Sequence, residues 1–267
     1  MKKKAQKIPV LIDFDGVLKL IDRPAPETET LFNFLSDHSL PGIIISNSTL
    51  RTSEGIKKFF QDFHIHCPLP AITAAEATLN YVKDRYKKVA VYCVEEIKML
   101  FDEMTDYENP EAVILGDMRN KWNYELLNEI FRKVYNGADL IAMQKNRFWS
   151  PDGRLSLDAG AFISAIEYAT SKKAALIGKP SPIYFRSALE LLSVPVSEKF
   201  IMIGDDIETD IIAAQNCGAT GILVLTGKTT KPVPEKYKNK YDYKADNLKD
   251  VIGILESIFK TDISSKF

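Results

Sequence analysis

Short apolar runs, each cut off by polar residues or glycine, alternate along this chain with stretches of helical periodicity. The first run, Val10-Leu11-Ile12, stops at two carboxylates, Asp13 and Asp15, followed by Gly16. It is too short for an independent helix and carries β-branched residues, which predicts a buried strand of a parallel sheet. The carboxylates then stand just past its C-terminal end, where open α/β sheets bind ligands. From this stretch alone, a strand closed by an Asp-Gly turn without chemistry reads as well.

Pro24-Ala25-Pro26-Glu27 opens a helix with Leu31, Phe34 and Leu35 on one stripe. Gly42–Ser46 is a second buried strand, followed by Asn47. Ile56, Phe59, Phe60 and Phe63 fall at i, i+3, i+4 and i+7, a stripe expected to pack into the core. A strand–helix rhythm restarts near Ala75, with strands at Val89–Val94, Ala112–Leu115 and Leu140–Met143. Helices are predicted at Glu95–Met104, Tyr124–Val134 and Ala159–Ala169. A third segment runs through a strand at Ala174–Ile177, a helix at Ile183–Leu192 and a strand at Phe200–Ile203. A helix to Cys217, a strand at Gly221–Leu225 and a closing helix at Leu248–Phe259 complete it. Lys231–Asp246, rich in Pro, Lys and Tyr, reads as an exposed excursion. Alternating strands and helices predict an α/β class with parallel sheets.

Composition narrows the function classes. Hydrophobic residues make up 45% and charged residues 27% of 267 residues, which fits a folded domain or two with a real core. A formal net charge of −1 gives no reason to expect nucleic acid or an anionic membrane as partner. Cys67, Cys93 and Cys217 form no CxxC pair, and a reducing, cytoplasmic setting is expected. The basic start Met1-Lys2-Lys3-Lys4 resembles that of a signal peptide, but Pro9 and Asp13 interrupt the apolar run behind it. His64 and His66 lack a second ligand cluster and read as incidental.

Four strand ends carry chemistry. Asp13 and Asp15 follow the first strand, Ser46 and Asn47 the second, Lys179 a third, and Asp205, Asp206 and Asp210 a fourth. As parallel neighbours, the four strands converge these groups on one sheet edge. Crowded carboxylates repel, and a divalent cation removes the conflict; all-oxygen ligands favour Mg²⁺. The ammonium, hydroxyl and backbone donors suit phosphate oxygens. A carboxylate beside a phosphoryl group can attack it, and a second can move the proton. Lys179 as a surface lysine and Asp210 as a charge at a helix start are the plainer alternatives. Gly227-Lys228-Thr229 does not make a nucleotide loop, because Gly221 lies one residue too far upstream.

Asp-x-Asp-Gly, Ser after an apolar strand, Gly-Lys-Pro and Gly-Asp-x-x-x-Thr-Asp, in that order, resemble the haloacid dehalogenase superfamily of aspartate-nucleophile phosphatases. The likeness covers essentially the whole chain and points to the subgroup with a large type-2 cap. Ala138–Arg147, Leu157–Ala169 and Met202–Asp206 are most like its phospholysine, phosphohistidine and inorganic pyrophosphate phosphatase branch and hydrolase-domain relatives. The resemblance implies a doubly wound, Rossmann-like core at 1–75 and 174–267, with a smaller α/β cap inserted at 76–173. It implies Asp13 as nucleophile and metal ligand, and Asp15 as general acid/base with its backbone carbonyl on the metal. Ser46 would bind the phosphoryl group with Asn47 beside it, Lys179 would neutralise it, Asp205 would bind Mg²⁺, and Asp210 and Asp206 would give support. Some relatives carry Ser where Asp15 stands, so their exact substrate does not transfer. In the cap stretch Gln144–Gly160, Lys145, Asn146, Arg147 and Asp158 are the substrate-facing candidates, each against the alternative of solvent exposure or, for Asp158, a helix cap. The expected activity is that of a phosphoric monoester hydrolase on a small phosphorylated metabolite, pyrophosphate or a P–N compound. A non-catalytic phospholigand-binding module and a phosphomutase are the alternatives, carbon–halogen hydrolysis is remote, and a homodimer through the cap is left open.

Overall fold

A computed structural model describes residues 8–149, 154–193 and 199–264. The Met1–Lys4 start and residues 150–153 of the Gln144–Gly160 stretch lie outside the described residues. In chain order, β1 (Val10–Asp13) leads into a small hairpin, β2 (Lys19–Leu20) and β3 (Arg23–Pro24), then α1 (Thr28–Asp37), β4 (Gly42–Ser46), α2 (Ser53–Asp62) and β5 (Ala71–Thr73). Next come α3 (Ala74–Val82), β6 (Val89–Tyr92), α4 (Glu95–Lys98), β7 (Ala112–Leu115), α5 (Tyr124–Tyr135) and β8 (Asp139–Ala142). The hairpin β9 (Phe148–Trp149) and β10 (Ser156–Leu157) precedes α6 (Ala159–Thr170), β11 (Ala175–Leu176) and α7 (Pro182–Leu191). The last elements are β12 (Ile201–Gly204), a π-helical turn Ile207–Ile212, α8 (Ala213–Gln215), β13 (Thr220–Val224), β14 (Tyr243–Ala245) and α9 (Leu248–Ser264). No described helix is long and apolar enough to cross a membrane.

The chain divides into two compact units. The first comprises Met1–Ser46, Gly55–Ile72 and Phe185–Phe267. Its sheet has the order β14-β13-β12-β1-β4-β5, and β1 pairs in parallel with both β12 and β4. Val10, Ile12, Ile44, Ile203 and Ile222 pack with Leu31, Leu35, Phe60 and Leu255 on one side, and Leu223 packs with Ile207 and Ile211 on the other. Helices on both faces explain why these strands are apolar throughout. Of the aromatic stripe, Ile56 and Phe60 are fully buried, whereas Phe63 is 42% exposed.

The second unit comprises Asn47–Glu54 and Thr73–Tyr184. Its parallel sheet runs β11-β8-β7-β6 around a core that includes Tyr92, Val113, Leu140, Ile130 and Ile163. The sequence sets the insertion at 76–173, whereas the compact units divide elsewhere. Local bonds account for the short piece 47–54: Ser53 donates its N–H and hydroxyl to Glu76, and Thr49 accepts the Asp117 N–H. Glu76 also closes a capping box with Thr73 at the start of α3, a Thr-x-x-Glu signature visible in the string.

Three expectations need correcting. The strand before Lys179, β11, pairs with β8 and not with the strands that carry the other motifs, so only three of the four strand ends share one sheet. The Lys231–Asp246 excursion ends in β14, which pairs with β13 and extends the first sheet; a three-residue strand among Lys and Tyr leaves little apolar signal. The helices expected at Glu95–Met104 and up to Cys217 are composite. The former turns 3₁₀ at Met99, and the latter opens as the π turn.

Candidate active site

Asp13 is the last residue of β1, and Asp205 follows Gly204, the last of the neighbouring β12. The register sets Ile12 opposite Ile203, so both carboxylates emerge at the same end of two strands that parallel pairing holds roughly 5 Å apart. The π turn then brings Asp210 back over this edge. Each of the three offers a carboxylate oxygen within 4.8 Å of the others, and all three residues are buried. Small residues make the crowding possible. A Cβ on Gly16, at φ +90°, would lie 2.4 Å from Asp205 Oδ2, and one on Gly204 would lie 2.3 Å from Asp210 Cβ.

Backbone donors hold the cluster. Phe14 N–H donates to Asp13 Oδ1 at 2.8 Å, Lys228 N–H to Asp205 Oδ2 at 2.5 Å, and Asp206 N–H to Asp210 Oδ2 at 3.1 Å. Asp206 stands outside the cluster. Its Oδ1 caps the π turn by accepting from Glu208 and Thr209 N–H, and its Oδ2 pairs with Lys228 Nζ at 3.0 Å. Burial pushes its carboxyl upward, but the Lys228 ammonium and the Thr209 N–H outweigh that and hold it below the usual carboxylate range.

Asp15 also stands outside the three-carboxylate cluster. Its side chain is half exposed, pairs with Lys19 Nζ at 3.3 Å and accepts from Ser46 Oγ at 3.2 Å. Ser46, at the end of β4, is itself buried. The first unit thus brings together Asp13, Asp205 and Asp210, and beside them Asp15 with Ser46.

The other sequence candidates belong to the second unit. Asn47 brackets the backbone of Lys179: its Nδ2 donates to the Lys179 carbonyl at 2.9 Å, and its Oδ1 accepts the Lys179 N–H at 2.7 Å. A Cβ on Gly178 would fall 2.6 Å from that Oδ1, which explains the glycine before the lysine. Asp158 caps α6 through Ala159 N–H and accepts from Gln144 Nε2 at 2.7 Å; burial pushes its carboxyl above the usual value. Asn146 is pinned by its backbone, donating N–H to Gln144 Oε1 and accepting from Gly160 N–H. Arg147 is exposed.

Lys145 pairs at 2.6 Å with Glu167, which is 6% exposed. Burial raises the Glu167 carboxyl, but the Lys145 hydrogen bond, the Ala174 N–H and Lys173 outweigh it and hold it below its ordinary value. A depressed carboxyl contributes stability above its unfolded pKa and loses it as pH falls through the folded one. Lys145→Met is therefore expected to cost about 1–2 kcal/mol at pH 7, a cost that shrinks toward pH ~3 as Glu167 takes up its proton. Urea unfolding at both pH values measures it, and an equal cost at both would remove the ion pair as its cause.

Sequence reasoning did not find the turn after β13. Thr226, Gly227, Lys228 and Thr229, of which the sequence singles out only the last three, as a rejected nucleotide loop, lie against Asp205 and Gly16. A glycine just past a buried strand was the available signal.

A family model described as haloacid dehalogenase-like hydrolase matches residues 10–106, and one described as HAD-hydrolase-like matches 176–251. The chain is 32% identical over 231 residues to haloacid dehalogenase-like hydrolase domain-containing protein 2 of Rattus norvegicus, covering 85% of this chain and 87% of that one. It is 34% identical over 184 residues to the phospholysine phosphohistidine inorganic pyrophosphate phosphatase of Mus musculus, covering 68% and 67%. Among solved structures, the p-nitrophenyl phosphatase from Archaeoglobus fulgidus superposes with a TM-score of 0.84 at 26% identity, covering 93% of this chain and 99% of that one.

Proposed function

Since the chain belongs to the haloacid dehalogenase-like hydrolase family, we propose that it is a Mg²⁺-dependent phosphatase of small phosphorylated compounds, working through an aspartyl-phosphate on Asp13. The observation that carries this reading is the trio Asp13, Asp205 and Asp210, three buried carboxylates within 4.8 Å at the edge of the parallel sheet. Three buried negative charges at that spacing are costly without a counter-charge. An all-oxygen donor set fits a hard divalent ion, which when bound neutralises the carboxylates and draws charge from the phosphoryl oxygens.

The remaining chemistry belongs to the chain. An Asp13 oxygen attacks phosphorus, and the bond from phosphorus to the leaving group breaks. Asp15, on the solvent side, gives its proton to the leaving atom. It then takes a proton from the water that hydrolyses the acyl-phosphate, restoring Asp13 and releasing phosphate. Ser46 is assigned to a phosphoryl oxygen and Lys179 to its charge, with Asn47 orienting Lys179 through its backbone. The insertion at 76–173 is assigned the role of a cap that reads the leaving group. Pyrophosphate and P–N compounds join phosphate monoesters as candidate substrates, by analogy with the similar mouse phosphatase.

Hydrolysis of p-nitrophenyl phosphate, inorganic pyrophosphate, phosphohistidine and sugar phosphates, with Mg²⁺ and after EDTA, tests the proposal. Turnover that disappears with EDTA and returns with Mg²⁺ is the expected result. No turnover on any of them overturns the reading, and equal turnover without divalent ions overturns its metal part.

A further inference from the structure

We infer that the turn Thr226–Thr229 is a positioning clamp on Asp205, and that it sets the affinity of the acidic cluster for a divalent cation without contributing a ligand. The inference rests on the proposed function for the identity of the ion only.

The turn grips Asp205 at both ends. Lys228 N–H donates to Asp205 Oδ2 at 2.5 Å, and the next residue, Thr229, donates its N–H to the Asp205 carbonyl at 3.0 Å. Two more bonds tie the turn to the start of the π turn: Thr229 Oγ1 accepts the Ile207 N–H at 3.2 Å, and Lys228 Nζ reaches Asp206 Oδ2 at 3.0 Å. A fifth crosses to the loop after β1, where Thr226 Oγ1 donates to the Gly16 carbonyl at 2.6 Å. One four-residue turn therefore bonds both segments that deliver Asp13 and Asp205.

Gly227 shows how close the fit is. A Cβ there would lie 1.9 Å from Asp205 Oδ2 and 2.5 Å from Cγ. The two nearest atoms end a side chain that can rotate, whereas Asp205 Cβ, 2.9 Å away, requires the turn itself to give slightly. Alanine at 227 then displaces one carboxylate of the trio at the cost of a small local shift in the turn. The Lys228 N–H fixes the Asp205 rotamer before any ion arrives, the same service that hydrogen-bond partners around metal ligands perform elsewhere, at roughly 10–100-fold in affinity.

The test reads Mn²⁺ binding without substrate, by calorimetry or by the electron paramagnetic resonance of free Mn²⁺, in the full chain. Gly227→Ala is expected to bind about 10–100-fold more weakly, with unchanged far-UV circular dichroism and a metal-free melting temperature close to wild type. Thr226→Val, which removes one hydroxyl at constant shape, is expected to weaken binding severalfold. Gly253→Ala in α9, where a new Cβ meets nothing within 4 Å, controls for the glycine substitution and is expected to bind as wild type does. Wild-type affinity in Gly227→Ala overturns the clamp; if that variant does not fold, wild-type affinity in Thr226→Val does so instead. A wild type with no affinity for Mn²⁺ also overturns it. A wild type that binds Mn²⁺ and hydrolyses nothing ends the phosphatase reading alone, and the Gly227→Ala comparison still decides the clamp.

Discussion

Asp13→Asn is expected to lower turnover of p-nitrophenyl phosphate by at least about a thousandfold, the scale seen when a nucleophile is removed from a unit that acts together. The substitution is nearly isosteric, and the amide oxygen can still accept the Phe14 N–H that now holds Oδ1. It also removes one negative charge from a buried trio within 4.8 Å. Without metal, the variant is expected to melt close to wild type, because the side chain keeps its shape and its Phe14 N–H bond. Activity thus falls while stability changes little, which a folding defect cannot mimic. Steady-state kinetics and metal-free thermal melts measure the two separately. Retained turnover would rule out nucleophilic Asp13, and a lower metal-free melting temperature would shift the explanation to folding.

Phe60→Ala is expected to destabilise the first unit by about 3–5 kcal/mol, the usual cost of removing a buried ring. Phe60 is fully buried and meets Phe14, Phe32 and Phe59 edge-to-face, with ring centroids 5.8, 5.4 and 5.3 Å away. The contact with Phe14 matters most for function, because Phe14 sits between Asp13 and Asp15 and anchors the strand end beneath both. Activity should therefore fall at temperatures well below the melting point, as the support of β1 loosens. Phe63→Ala, three residues along the same stripe but 42% exposed, should change stability by about 0.5 kcal/mol or less. Urea titrations of the two variants check the contrast, and equal losses would contradict the burial argument.

The sequence by itself determined β1, β4, β12 and β13, the four inner strands of the first sheet, and the residues that end them. Val10–Asp13 and Gly42–Ser46 are apolar runs cut by a carboxylate and a hydroxyl. Because helices cover both faces, a buried parallel strand has no polar side to obscure its limits. Asp13, Asp205 and Lys179 were legible for the same reason: each charge stands where an apolar run stops. Partnership was decided only by the tertiary structure. Asp210, not the Asp15 side chain, completes the carboxylate trio, because the π turn folds it back while Asp15 turns toward Lys19 and Ser46. Lys179 follows a strand of the other sheet, and Asn47 serves its backbone across 132 positions of sequence. The Thr226–Thr229 turn reaches Gly16 across 210 positions. Periodicity reports which side of an element is buried. It carries no record of which distant backbone N–H meets which carboxylate, since that depends on strand order and on turns whose geometry forms only when the sheet does.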